Sequence, residues 1–204
     1  ALQELTQPRS NSAASVRFIV QQTWPRREST DYNQLCTTAE KKGMMEEINK
    51  TLLELKEQIT TSFQVAPTGS AFVEFAKLAC GPNIILPEDG SCAFDPNMDC
   101  PIWYGDESGK IGLFHEGVGE EGFHQSEEIG AWLAASVLYG VLFQSASGHP
   151  CYLSASDLEQ VMPNIPPADV VDVPTGRTIP FLISEATKSA LGQSYGKDAV
   201  VECI

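Results

Sequence analysis

Val16-Arg17-Phe18-Ile19-Val20-Gln21 and, further along, Phe63-Gln64-Val65-Ala66 are the stretches that decide the fold. The first is rich in β-branched and aromatic residues. A Ser/Asn/Ala run precedes it and Trp24-Pro25 follows it, so it reads as a buried strand. The second reads as a short strand of the same kind. Between them, from about Cys36 to Thr60, apolar Met45, Ile48, Leu52, Leu55 and Ile59 recur at spacings of three and four, with charges between. That is the period of a long helix. After the second strand, Pro67-Thr68-Gly69 reads as a turn and Ser70 to Ala79 as a helix. The order strand–helix–strand–helix predicts a layered α/β fold with a parallel sheet.

Further along, residues 81–110 form an irregular stretch, long for a structureless loop, and read as a loop insertion. Within it Asp95, Asn97 and Asp99 alternate as oxygen ligands do in calcium loops. The sixth position, where an EF-hand needs Gly, is Cys100, and no flanking helix pair is evident. Glu127 to Phe143 reads as a helix apolar on most faces, hence packed deeply against the sheet. Ser154 or Ser156 is placed to cap a short helix through Val161. Pro163 to Pro180 reads as extended. Ser184 is expected to cap a last helix through about Gln193, with Gly196 as its stop.

Composition narrows the function classes. The chain has 204 residues, 42% of them hydrophobic and 20% charged, which is globular and fits a single domain. Thirteen Lys and Arg against 27 Asp and Glu give a net charge of −14, which argues against nucleic acid as a partner. Residues 1–60 carry eight bases and eight acids, so the excess lies beyond them; Glu88 to Glu128 alone holds eleven acids and one base, Lys110. Such a segment is a solvated acidic loop, or a field that repels anionic substrates. The longest apolar run, Ala131 to Phe143, has 13 residues. A bilayer crossing needs about 20, so no membrane span is expected.

Six cysteines, Cys36, Cys80, Cys92, Cys100, Cys151 and Cys203, are an even set. Sequence alone leaves their pairing open, with Cys92 and Cys100 the closest local candidates. None has the paired C-x-x-C spacing of a zinc or redox site, and no cofactor is called for. Asn49-Lys50-Thr51 is an N-glycosylation sequon. With the cysteines it points to an oxidising, secreted or extracellular setting.

Of three histidines, His149 precedes Pro150 in a loop and reads as incidental. His115 lies in Leu113-Phe114-His115-Glu116. His124 lies in Glu121-Gly122-Phe123-His124-Gln125-Ser126, just before the apolar helix. A carboxylate three residues before a His can fold back to hold one ring N–H. It then fixes the tautomer and stabilises the imidazolium while the other nitrogen acts as general base.

The run from Glu121 through Gly130-Ala131-Trp132-Leu133-Ala134-Ala135 to Tyr139 resembles the last block of the SGNH, or GDSL-type, hydrolase superfamily. There a segment like Asp-Gly-x-His-Pro-Ser leads into a helix beginning Gly-x-Tyr-Leu-Ala-Ala. Three other stretches resemble the same group in the same order. Leu2-Gln3-Glu4-Leu5-Thr6-Gln7 is similar to the end of its third strand, Val16 to Trp24 to its fourth, and Val65 to Phe72 to its fifth with the following turn.

The resemblance implies a three-layer α/β/α domain over residues 1–204 whose first strands are missing from this chain. It implies a serine esterase in which His124 is the base and Glu121, where the family has Asp, its orienting acid. Gln3 falls near the oxyanion-hole amide. The nucleophilic Ser and the oxyanion Gly would lie upstream of Ala1, on an N-terminal segment or second chain that completes the fold. Two parallel strands alone would leave unpaired edges and an uncovered helix face. The implied substrate is a carboxylic ester, such as an acetyl ester on a carbohydrate. The alternatives are a catalytically inactive extracellular binding or assembly protein on the same fold, and a calcium-dependent adhesion module built on the acidic loop.

Overall fold

The computed structural model describes residues 17–24, 32–33, 42–80, 112–114, 125–145, 148–166, 173 and 175–203. The strands are β1 (Phe18–Gln21), β2 (Tyr32–Asn33), β3 (Lys42–Gly43), β4 (Phe63–Ala66), β5 (Cys151–Tyr152) and β6 (Val201–Glu202). The helices are α1 (Met44–Gln58), α2 (Thr68–Cys80), α3 (Gly130–Leu142), α4 (Ala155–Val161) and α5 (Ile179–Tyr195). The architecture is mixed α/β, and its strands pair in parallel: β1 with β4, β2 with β3, β5 with β6. In the first pair Phe18 lies opposite Phe63 and Gln21 opposite Ala66. The sequence predicts the succession β1, α1, β4, α2 but not the short strands β2 and β3 that stand between β1 and α1.

Several boundaries differ from expectation, each for a local reason. Strand β1 starts at Phe18 and is half-buried rather than buried. Helix α1 starts at Met44, not near Cys36, because Lys42-Gly43 is extended and paired with β2. Thr68 and Gly69 belong to α2, not to a turn before it, since the Ala71 amide donates to the Pro67 carbonyl and closes the first helical turn. Helix α5 starts at Ile179. Pro180 sits in its first turn, where a missing N–H costs nothing and the fixed φ favours the helix. Ser184 is therefore interior rather than a cap, and its hydroxyl donates to the Leu153 carbonyl. Gly196 ends the helix as expected, with φ 95°. Ser154 caps α4 through a capping box with Asp157.

The core is built on α2. Phe72, Phe75, Ala76 and Ala79 are buried, and α2 packs on α5 and α3. From α5 come Leu182, Ile183, Ala186, Ala190 and Leu191; from α3, Leu133, Val137 and Val141; from α4, Leu158. Helix α3 is less deeply packed than its composition suggests. Ala135, Tyr139 and Leu142 on its other face are exposed, and Phe143 just beyond it is 60% exposed. Its inner face comes so close to β5 that a Cβ on Gly140 would collide with the Cys151 carbonyl oxygen.

Two features fasten the later half of the chain. The Cys151–Cys203 disulfide spans 52 residues and ties the C-terminal strand to β5, beside the Val201-to-Pro150 and Cys203-to-Tyr152 backbone bonds. A polar cluster joins α2 to α5: Lys77 Nζ meets Glu74 Oε1 at 2.7 Å, and Ser189 Oγ donates to Glu74 Oε2 at 3.0 Å. Burial works to raise the Glu74 pKa, but Lys77, Gln193 and Ser189 together outweigh it and hold the carboxyl below its ordinary value.

The disulfide closes a loop long enough that the Cys151→Ser/Cys203→Ser variant should lose about 4 kcal/mol in guanidinium unfolding. An unchanged midpoint would show that β5 and β6 hold without it. For Glu74, a depressed native pKa means stability present above the unfolded carboxyl pKa and lost as pH falls through the native one. Acid titration of stability should therefore be shallower in Glu74→Gln than in the parent, and equal slopes would contradict this.

Candidate functional site

In open parallel α/β sheets, ligands gather at the carboxyl ends of the strands. Here β1 exits into Gln22-Thr23-Trp24 and β4 exits through Pro67 into α2. Gln22 is 4% exposed, so its amide needs partners. Its backbone N–H donates to the Ala66 carbonyl at 2.9 Å. Its Oε1 accepts from the Ser70 amide at 2.8 Å, and its Nε2 donates to Asn49 Oδ1 at 2.5 Å. One side chain thus ties the β1 exit to α2 and to α1. Gln21 Nε2 reaches Thr68 Oγ1 at 3.4 Å beside it. The backbones meet so closely that a Cβ on Gly69 would collide with the Thr23 carbonyl oxygen.

An aromatic column runs outward from this edge. Trp24 stacks on Phe72 with ring centroids 5.6 Å apart, and Phe72 meets Phe114 at 5.4 Å. Phe114 belongs to a strap, residues 112–114, that pairs with the approach to α3. Phe114 and Gln125 form an antiparallel bridge, and the Ser126 amide donates to the Leu113 carbonyl at 2.8 Å. Ser126 is 1% exposed. Its hydroxyl donates to the Gly112 carbonyl at 2.6 Å and accepts from the Ile129 and Gly130 amides. These bonds fix residues 126–129 as a turn, so α3 begins at Gly130 and not at Glu127. A Cβ on Gly130 would collide with the Leu113 carbonyl oxygen. Phe114 and Gln125, which flank residues 115–124, are therefore held together against α2 at the carboxyl end of the β1–β4 pair.

Glu121, His124 and His115 lie outside the described residues, as do Gln3, Asp95, Asn97, Asp99, Cys36, Cys92 and Cys100. His149 is exposed in a turn, where its amide donates to Ser145 Oγ. Asn49, the sequon acceptor, sits on the exposed side of α1, and Thr51 Oγ1 donates to the Glu47 carbonyl. Cys80 is disulfide-bonded at the end of α2, and Cys151 pairs with Cys203. Among the described residues no group of three His, Cys, Asp or Glu could hold a metal ion.

The residues missed by sequence reasoning are Gln22, Ser70 and Ser126. A single amide or hydroxyl carries no periodicity. Only the position of Gln22 directly after a strand could have marked it. No family model, curated protein or solved structure matches the chain.

Ser126→Ala removes a buried hydroxyl with three partners and leaves the Gly112 carbonyl without its donor. It should destabilise by about 1–3 kcal/mol in chemical denaturation. A change near zero would mean the backbone bonds alone hold the strap.

Proposed function

We propose that the chain is the base-bearing part of a secreted SGNH-like serine esterase, a three-layer α/β/α domain completed by an upstream segment or second chain. The observation that carries this reading is the strap. The Phe114–Gln125 bridge brings the residues flanking Glu121 and His124 to the carboxyl end of parallel strands β1 and β4, beside Trp24 and Phe72. That is where an α/β fold of this order assembles a site. In this reading the serine from the upstream segment attacks the ester carbonyl, and His124 takes its proton. Glu121 holds the other ring nitrogen and stabilises the imidazolium. His124 then protonates the departing alcohol, and a water activated by the same imidazole releases the acid. Gln3 is the proposed amide donor to the oxyanion.

The parallel β1–β4 pair and the exposed outer face of α3 support an added layer. The Cys151–Cys203 disulfide supports a secretory setting. Among the described residues no helix is long and apolar enough to cross a membrane. The ester is expected to be uncharged or cationic, because the segment from Glu88 to Glu128 carries eleven acids against one base.

The intact protein, with whatever chain precedes Ala1, should be labelled by a fluorophosphonate. His124→Ala should lower acetyl-ester hydrolysis by about 10²–10⁴-fold without loss of folding. Absence of both labelling and turnover in a folded sample would favour the non-enzymatic binding protein instead.

A further inference from the structure

A cavity of about 380 Å³ lies between α1, β4 and α5. Small-molecule sites occupy roughly 300–1,000 Å³, so this one suits a compact ligand. Leu52, Phe63 and Val65 supply apolar wall, and Asn49, Gln64, Ser70, Gln193 and Ser194 supply amides and hydroxyls. Tyr195 also lines it, fixed by its hydroxyl, which donates to the Val65 carbonyl at 2.6 Å. Among the described residues no carboxylate lines this cavity, and Lys56 is the one cation there.

The lining selects a ligand chemistry. A phosphate or other multiply charged anion would meet a single lysine within a chain of net charge −14, a poor balance. A purely apolar ligand would strand the polar groups out of water, at a cost for each one left unpaired. Gln64 Oε1 is already shielded from solvent without a donor. The Asn49 amide is oriented from behind, because Gln22 holds its Oδ1 and leaves the –NH₂ to donate. Amides and hydroxyls that both give and accept, beside aromatic and aliphatic wall, match a ligand whose hydroxyls do the same and whose ring faces are apolar.

From these observations we infer that the α1–β4–α5 cavity binds a neutral saccharide of one or two rings. The inference does not rest on ester hydrolysis, and it is read by binding alone, so either can fail without the other.

The test is titration of the ¹⁵N-labelled full chain with glucose, xylose and N-acetylglucosamine, followed by amide shifts. At least one sugar should give saturable shifts at Asn49, Gln64, Ser70 and Gln193 to Tyr195, with a dissociation constant of about a millimolar order. Asn49→Ala should weaken binding about three- to tenfold. Ser194→Trp, at an exposed helix position, should abolish binding while leaving the melting temperature unchanged. The proposal is overturned if none of the three sugars gives saturable shifts up to about 100 mM, or if the shifts fall outside the cavity. It is also overturned if octanoate saturates the cavity where the sugars do not.

Discussion

The Phe72 ring, wholly buried between Trp24 and Phe114, is the contact on which the rest of the structure depends. It joins three segments distant in sequence: the exit of β1, the first turns of α2 and the strap before α3. The energy is mostly burial of aromatic surface, with a smaller gain from ring geometry. The polar bonds around it are individually weaker, but they fix direction. Gln22 bonds α1 and α2 to the β1 exit, and Ser126 bonds the strap to the start of α3. Burial decides that these segments meet, and hydrogen bonds decide in what register.

Glycines set how close they come. Gly69 lets α2 rest on the Thr23 carbonyl, Gly130 lets α3 rest on the Leu113 carbonyl, and Gly140 lets α3 rest on the Cys151 carbonyl. In each case a methyl group would meet backbone oxygen, which cannot yield as a side chain can. Close backbone approach at Gly69 and Gly130 draws the carboxyl edge together, and approach at Gly140 seats the disulfide-bonded later half. The cavity proposed for a saccharide opens along β4 between α1 and α5.

How much of this was legible in the sequence depended on the kind of signal. Phe63–Ala66 was read to the residue, because its apolar run is bounded by polar and proline residues. The Ser154 cap was legible, although only the structure separates it from Ser156 through Asp157. The start of α5 was not, because Ile179-Pro180 looks extended until a helix forms around it. Strands β5 and β6, two residues each, are too short to carry a period, and a long-range disulfide rather than local pattern holds them. At the site, Glu121 and His124 stand out in the sequence by spacing and resemblance, whereas the strap that positions their neighbours depends on single contacts at Phe114, Gln125 and Ser126. Those contacts are tertiary and have no local signature.

We propose that His124 works at the carboxyl edge of the β1–β4 pair. A NOESY spectrum of the intact, isotope-labelled protein tests it most directly. Cross-peaks from the His124 imidazole protons to Trp24, Thr68 or Gly69 are the expected result. A well-resolved His124 ring with cross-peaks only to residues remote from that edge would contradict it.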